Sequence, residues 1–340
     1  MKKKQCGLLS LALSSCLITQ AENKEKYSGS PNVIFIYADD LGYEALECYD
    51  AQNIHTPNVN RLAANGIRFT NGHSTAATST PSRYSLLTGE YAWRKPGTDI
   101  AAGNAGMIIS PAQFTMADLF KSAGYVTGAF GKWHLGLGDK TACQDWNAPL
   151  PAALGDLGFD YSYVMAATAD RVPCVFIENG QVANYDPSTP IEVSYVKNFP
   201  GKPTGKDNPE MLYNLKPSHG HDQSIVLLNV RIPKGCAPDS YNRLATLLGQ
   251  DHTDRPWVIE QAANHTISVR TKNWKYIEES EGAPMITWGP KIETGYLSTP
   301  QLYDMKQTGE QENVATKYPP KVFELKQILR KVRNKTLKLE

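Results

Sequence analysis

A single apolar segment near the start of the chain does most to limit the folds available to it. Residues 32–38 (NVIFIYA) form a continuous apolar run that is rich in β-branched and aromatic side chains. A run without polar alternation is typical of a strand buried on both faces, as in a parallel sheet covered by helices. The run ends at Asp39 and Asp40, so two carboxylates lie at the end of the predicted strand.

Predicted helices and strands alternate beyond this point. Thr56 and Pro57 begin the first helix, which ends at Gly66, and Thr115 begins a second helix, which ends near Gly124. Short strands are predicted at 67–70 and 125–130. Strands that alternate with helices indicate an α/β fold with a mostly parallel central sheet flanked by helices.

The second half of the chain has a different character. Prolines and glycines are frequent from about 140 to 225, where we predict long surface loops with short strands such as 174–178. Closely spaced apolar runs at 255–278 predict a small antiparallel sheet. The basic amphipathic segment 318–332 predicts a final helix.

The first 21 residues resemble a signal peptide. Lysines at 2–4 precede an apolar run at 6–18 that is too short to span a bilayer. Residues 19–21 (TQA) resemble a signal-peptidase site, whereas residues 13–16 (LSSC) resemble a bacterial lipobox that would leave a lipid on Cys16. We favour simple secretion and predict a bacterial periplasmic or secreted protein, with a lipoprotein as the alternative.

Charge and cysteine content argue against several classes of protein. The formal net charge is +1 over 340 residues, so composition gives no reason to expect nucleic acid or an anionic membrane as a partner. The six cysteines show no CxxC spacing and indicate neither a zinc ribbon nor a disulfide scaffold. One or two disulfides in an oxidising compartment stay open, and the sequence does not pair them.

Chemically informative residues occur in three clusters, each after a predicted strand, and ligands of open α/β sheets bind at the carboxyl ends of strands. Asp39 and Asp40 offer hard oxygen donors that suit Ca²⁺ or Mg²⁺. An isolated acidic pair is more often a solvated turn, but the preceding apolar strand favours a metal. Lys132 and His134, in GKWHLG, offer a fixed cation and an imidazole that titrates near neutral pH. A surface lysine and a structural histidine are the alternative.

The third cluster contains Ser79 and Arg83 in the sequence STPSR. Residues 84–88 look like the first turns of a helix that Gly89 closes. A hydroxyl at a helix start lies beside free backbone N–H groups and, here, a guanidinium, which suits an anion or an activated oxygen. An ordinary helix cap is the alternative interpretation.

Together these motifs resemble the sulfatase family of the alkaline-phosphatase superfamily. Asp39-Asp40, S-x-P-x-R at 79–83 and GKWHLG at 131–136 occur in the order and spacing of that family. The later segments ATADRVP and PSHGHD extend the likeness to bacterial arylsulfatases near N-acetylgalactosamine-6-sulfatase. The resemblance implies an alkaline-phosphatase-like fold and hydrolysis of a sulfated sugar, of the galactose or N-acetylgalactosamine 6-sulfate type.

The resemblance implies a modified residue at position 79. Ser79 aligns with the position that a maturation enzyme oxidises to formylglycine, whose hydrated aldehyde carries two oxygens on one carbon. One oxygen would bind calcium and attack sulfur, and the other would expel sulfate. An unmodified serine would be left with a sulfate ester that it could not collapse to an aldehyde.

Further roles follow from the same alignment of motifs. Asp39, Asp40 and the oxidised Ser79 are implied calcium ligands. By the same resemblance, Arg83 would steady the diol, Lys132 would bind the sulfate group, and His134 would assist the diol.

Substrate contacts are expected from the loops. Asp170 and Arg171 are implied to reach the sugar, although a carboxylate–guanidinium pair in a loop is usually a surface ion pair. His219 and His221 lie in a donor-rich segment, for which we prefer a role in the substrate pocket over a metal site because further ligands are lacking.

The expected second half of the calcium site is missing. No Asp-Asn-Gly and no His-x-Pro segment occurs after a later strand. We infer a large internal deletion near residues 226–232, between an incomplete sulfatase domain over 22–226 and a C-terminal subdomain over 227–340. With so few ligands, calcium would be under-coordinated. The chain as written is therefore expected to be poorly active, its sheet to lack strands, and apolar faces to be exposed.

Two other functions remain open at this point. A phosphomonoesterase or phosphonate hydrolase could use the same scaffold, although the S-x-P-x-R context argues against it. A non-catalytic protein that retains binding of sulfated glycans is the second alternative.

Overall fold

The computed structural model describes residues 31–139, 144–168, 171–188, 190–193, 255–262, 265–286 and 292–334. The predicted signal peptide, Cys16 and the predicted deletion point lie outside these residues. Among the described residues, Cys48 and Cys174 form no disulfide.

The first sheet has four strands in the order β1-β2-β3-β4. They span Gly128–Lys132 (β1), Tyr161–Met165 (β2), Phe176–Glu178 (β3) and Gln181–Val182 (β4). β1 and β2 are parallel, whereas β3 and β4 continue the sheet in antiparallel pairing. The α/β class is confirmed, but over the described residues the sheet is mixed rather than mostly parallel, because only one strand pair has a crossover connection.

The helices begin and end close to the residues that carry their sequence signals. They span Pro57–Asn65 (α1), Ser79–Thr88 (α2), Met116–Ser122 (α3) and Pro319–Arg333 (α4). Thr115 and Asp118 form a reciprocal capping box at α3. Gly89 ends α2 with a left-handed φ of 63°, which a glycine adopts without steric cost. Short 3₁₀ turns span Tyr43–Ala45, Glu47–Tyr49, Ala92–Arg94 and Leu154–Leu157.

A second, antiparallel sheet follows in the C-terminal part. Its strands are β5 (Val258–Gln261), β6 (Ile267–Arg270), β7 (Trp274–Ile277) and β10 (Gln301–Asp304), in the order β10-β7-β6-β5. A separate two-stranded ladder joins β8 (Met285–Ile286) and β9 (Ile292–Glu293). The predicted antiparallel sheet and final helix are therefore confirmed.

Each sheet has its own apolar core. Trp133, Leu135 and Val164 belong to a buried cluster around the first sheet, whereas Leu302 and Leu325 belong to a cluster between the second sheet and α4. A parallel bridge between Ala76 and Gln261 joins the loop before α2 to β5. The C-terminal sheet thus holds the segment that leads to Ser79.

Two predicted strands are wrong within the described residues. In 32–38 only Phe35 forms a bridge, and Ile34 and Ile36 are 73% and 56% exposed. Residues 67–70 are not a strand either, and Ile67 and Phe69 are exposed. A strand needs hydrogen-bonded neighbours, and the described part of the chain does not pair these segments into a sheet.

No helix within the described ranges is long and apolar enough to cross a membrane.

Mutation of Ile34 tests whether the first apolar segment is buried. Ile34→Ala is expected to change the free energy of unfolding by no more than about 0.5 kcal/mol, because the side chain is largely exposed. Leu302→Ala should cost about 2–5 kcal/mol, because Leu302 is 0% exposed in the C-terminal core. Urea unfolding measures both, and a large loss for Ile34→Ala would mean that residues 32–38 form a buried strand.

Candidate active site

Helix α2 brings Ser79 and Arg83 to one face, because residues four apart lie one above the other. The Arg83 Nε–H donates to Ser79 Oγ at 3.0 Å. Thr78 occupies the N-cap position in extended conformation, so Ser79 is the first helical residue and not the cap. Pro81 is tolerated here because the first turn of a helix needs no intrahelical N–H donor.

The guanidinium of Arg83 is buried, and its residue is only 6% exposed. Its second nitrogen donates to the carbonyl oxygen of Lys132 at 2.8 Å. Its third nitrogen lies 3.7 Å from Asp39 Oδ2, and the ring centroid of Tyr37 is 5.2 Å from its central carbon. Burial lowers the pKa of Arg83, which the Asp39 charge opposes, and arginine remains a cation throughout the physiological range.

The carboxyl end of β1 supplies the next two predicted residues. Lys132 is the last residue of β1, and its ammonium group donates to Asp39 Oδ2. His134 follows in a left-handed conformation with φ of 59°. Its backbone N–H donates to the carbonyl oxygen of Ala166, the residue after β2, at 3.1 Å. The pairing of β1 with β2 therefore continues beyond the last residue of each strand. Alternation along an extended strand would place Lys132 and His134 on one face, and the left-handed conformation of His134 breaks that alternation, yet both side chains reach the site.

His134 is held between Ser79 and a backbone carbonyl. Its Nδ1 lies 3.0 Å from Ser79 Oγ, and its Nε2 lies 2.9 Å from Ala101 O. A proton on Nε2 satisfies Ala101 O and leaves Nδ1 to accept from the Ser79 hydroxyl, whereas Arg171, which only donates and has a nitrogen 2.9 Å from Nε2, is satisfied when the proton is on Nδ1. The Ser79 oxygen accepts from Arg83 in either case.

The imidazole of His134 is uncharged at neutral pH. Burial lowers the pKa to about 4, and the positive charges of Lys132, Arg171 and Arg83 act in the same direction against the hydrogen bond to Ala101. A neutral histidine beside an oxygen nucleophile can accept a proton from it.

The predicted sugar contacts are only partly described. Arg171 donates to Ala101 O at 2.8 Å, and the same nitrogen lies 2.9 Å from His134 Nε2. It therefore belongs to the cluster around Ser79, next to the predicted catalytic residues. Asp170, His219 and His221 lie outside the described residues.

Two supports of the site gave no sequence signal. The Thr80 hydroxyl donates to His134 O at 3.0 Å and accepts from the Ala101 N–H at 3.1 Å, so it links the backbone of His134 to that of Ala101, whose carbonyl contacts the imidazole. Tyr37 bonds through its hydroxyl to Ser82. A threonine in the first turn of a helix predicts a cap, and nothing local indicates contacts with such distant partners.

The predicted calcium ligands do not make a complete site. Asp39 is bound to Lys132 and Arg83, and Asp40 is exposed, with a φ of 54°. No group of three or more His, Cys, Asp or Glu residues suitable for a metal occurs in the described ranges. Calcium takes six to eight oxygens, so these residues alone do not fit it.

The charges around Ser79 instead suit an anion. Arg83, Lys132 and Arg171 are cations, His134 is neutral, and Asp39 is the carboxylate paired with Arg83 and Lys132. In Asp39, burial raises the pKa, but the hydrogen bond and charge of Lys132, with the charge of Arg83, outweigh it and hold the pKa below its usual value. One paired carboxylate leaves an excess of positive charge for the oxygens of a bound ligand.

Comparisons with known proteins agree with this arrangement. The sulfatase family profile matches residues 31–227, which is more than half of the chain. The chain belongs to the sulfatase family. An N-acetylgalactosamine-6-O-sulfatase of Bacteroides thetaiotaomicron is 30% identical to this sulfatase, over 95% of this chain and 97% of the relative. Human arylsulfatase A is 36% identical over 168 residues, which cover 48% of this chain and 29% of that enzyme.

The fold of a solved sulfatase is also similar. A structure from work on glycosaminoglycan metabolism by Bacteroides thetaiotaomicron has a TM-score of 0.83 at 30% identity, covering 90% of this chain and 100% of that one. The predicted alkaline-phosphatase-like α/β fold is confirmed, as is the assignment to the sulfuric ester hydrolases.

The comparison also bears on the predicted deletion. The alignment with the Bacteroides N-acetylgalactosamine-6-O-sulfatase is 498 positions long, whereas this sulfatase has 340 residues. Because the alignment covers nearly all of both chains, many of its positions set residues of the relative against gaps in this chain. The position of the deletion, near residues 226–232, stays a prediction.

The neutrality of His134 predicts a pH dependence of stability. As the pH falls from 6.5 towards 4, the unfolded chain takes up a proton on His134 before the folded protein does. The free energy of unfolding should therefore fall by roughly 3 kcal/mol as the pH falls across this window. Above pH 6.5 the protein should keep the whole of this stabilising contribution. Urea unfolding at several pH values measures it. His134→Gln should lose this part of the dependence, whereas the exposed His55→Gln should retain it.

Nuclear magnetic resonance measures the pKa of His134 directly. The imidazole of His134 should titrate near 4. A midpoint above 6 would show that the folded protein tolerates the imidazolium.

Proposed function

We propose that this sulfatase binds the sulfate ester of a sulfated sugar at Ser79, and hydrolyses it after Ser79 has been oxidised to formylglycine. The supporting observation is that Ser79 Oγ lies 3.0 Å from both Arg83 Nε and His134 Nδ1. A hydrated aldehyde at position 79 has two oxygens on one carbon, one able to receive the sulfuryl group and one able to expel sulfate. Two different partners, a cation and a neutral base, suit two such oxygens.

The side chains would divide the work as their charges require. Arg83 holds one oxygen of residue 79 through its Nε–H. Lys132 and Arg171 provide charge for the sulfate oxygens, which is the electrostatic stabilisation that transfer of an anionic group needs. In the tautomer with the proton on Nε2, His134 accepts a proton at Nδ1, and the nearby cations make the resulting imidazolium a ready donor of that proton to water.

The substrate class rests on the relative. The Bacteroides protein is named for N-acetylgalactosamine 6-sulfate, and we propose a 6-sulfated galactose or N-acetylgalactosamine unit of a glycan here. Asp170, Arg171, His219 and His221 are the proposed sugar contacts. An oxygen-independent maturation enzyme is the proposed partner, because Ser79 occupies the position to be oxidised. The N-terminal sequence supports a periplasmic or secreted location, with lipidation at Cys16 as the alternative.

Binding without hydrolysis is a second candidate function. It is favoured by the ion pairs of Asp39 with Lys132 and Arg83, which occupy a carboxylate that the resemblance implies as a calcium ligand. In this case the cationic pocket and sugar loops would be retained, and turnover lost.

Oxidation of Ser79 is the decisive test of catalysis. After co-expression with a radical maturation enzyme, the peptide containing Ser79 should lose the mass of two hydrogens, and the protein should release sulfate from N-acetylgalactosamine 6-sulfate. Ser79→Ala should abolish release, because no oxygen remains at that position. Ser122→Ala, an exposed serine on α3, is the matched control and should not change the rate.

Three outcomes separate the candidates. Turnover by a protein whose Ser79 is unmodified would contradict the proposed mechanism. A confirmed modification with sugar binding but no sulfate release would favour the binding function. Competition between a sulfate and a phosphate ester of the same alcohol tests the phosphoesterase alternative, which preferred phosphate hydrolysis would support.

A further inference from the structure

We propose that the described residues of the sulfate pocket hold no metal, and that Asp39 is an internal counter-ion that a sulfate ester displaces from Lys132 and Arg83. The inference rests on the proposed binding of a sulfate ester at Ser79. It assigns Asp39 a role opposite to the calcium ligand that the sequence predicts: Asp39 competes with the substrate instead of helping to hold it.

The first support is the set of contacts around one oxygen. Lys132 Nζ donates to Asp39 Oδ2, and Arg83 lies 3.7 Å from the same oxygen. Asp39 is half-buried, so these contacts are shielded from water more than those of a surface pair. A divalent cation at this oxygen would have to displace both positive groups or share the carboxylate with them, and like charges at such separations repel.

The second support is the set of remaining oxygen donors. Asp40, the neighbouring carboxylate, is exposed. Ser79 Oγ already accepts from Arg83 and contacts His134. The described part of the chain offers no further cluster of metal-binding residues here. These donors fall short of the six to eight oxygens of calcium.

The third support is the charge that a ligand would meet. A sulfate monoester brings three oxygens and one negative charge, and Arg83, Lys132 and Arg171 offer guanidinium and ammonium donors around Ser79. Asp39 carries the same sign as the ligand and occupies two of those donors. Removing its charge should therefore strengthen binding.

The substitution Asp39→Asn gives the two roles opposite signs. We expect the metal-stripped protein with unmodified Ser79 to bind N-acetylgalactosamine 6-sulfate equally well in EDTA and in calcium chloride, as measured by titration calorimetry. Asp39→Asn should lower the Kd on the order of three- to tenfold, because one repelling charge is lost from a partly solvated site. Asp145→Asn removes a carboxylate elsewhere and should leave the Kd unchanged.

Each other result has a defined meaning. Binding that EDTA abolishes, or a Kd raised by Asp39→Asn, would overturn the inference and support a calcium ligand. Absence of binding by the unaltered protein in both buffers would contradict the proposed function itself.

Loss of the counter-ion could unfold the variant, so a second measurement is included. Inorganic sulfate should raise the Tm of Asp39→Asn more than that of the unaltered protein, because more of the pocket charge is then neutralised by the ligand. An equal or smaller rise would overturn the inference.

Discussion

The buried guanidinium of Arg83 is the charge on which the site depends. Burying an unpaired cation costs several kcal/mol, so each of its nitrogens needs a partner. Those partners come from three parts of the chain: Ser79 on the same helix, Lys132 at the end of β1 and Asp39 after the first apolar segment. The need to satisfy one cation thus brings together residues that lie far apart in the sequence.

The same positive charges give His134 its chemistry. Arg83, Lys132 and Arg171 favour a bound anion, and they also disfavour a proton on the imidazole that lies among them. A site built only of cations would attract a sulfate ester without activating an oxygen. A buried histidine that stays neutral fits the base that we propose for this pocket, and burial of its ring is the largest cause of the low pKa.

Features set by neighbouring residues could be predicted from the sequence. The capping box at Thr115 and the glycine stop at Gly89 depend on local spacing, and the structure has them. The three polar motifs also come together, although only the motif of Lys132 and His134 lies at the end of a strand. The prediction of a strand at 32–38 was wrong, because strand pairing depends on partners elsewhere in the chain that the apolar run itself does not reveal. The contact between the carbonyl of Ala101 and His134 could not be predicted from the sequence either, because every residue has the same backbone carbonyl.

The apolar surface beside β1 is exposed because the described residues supply no strand or helix that packs on it. Val126 and Phe130 are 87% and 51% exposed, and with Phe35 they line a cavity of about 270 Å³. Apolar runs in sulfatase sheets gain stability only when other strands or helices cover them. The chain exposes these apolar side chains, and no strand or helix of the described residues covers them. The first apolar segment thus has the composition of a buried strand, but no strand of the described residues pairs with it.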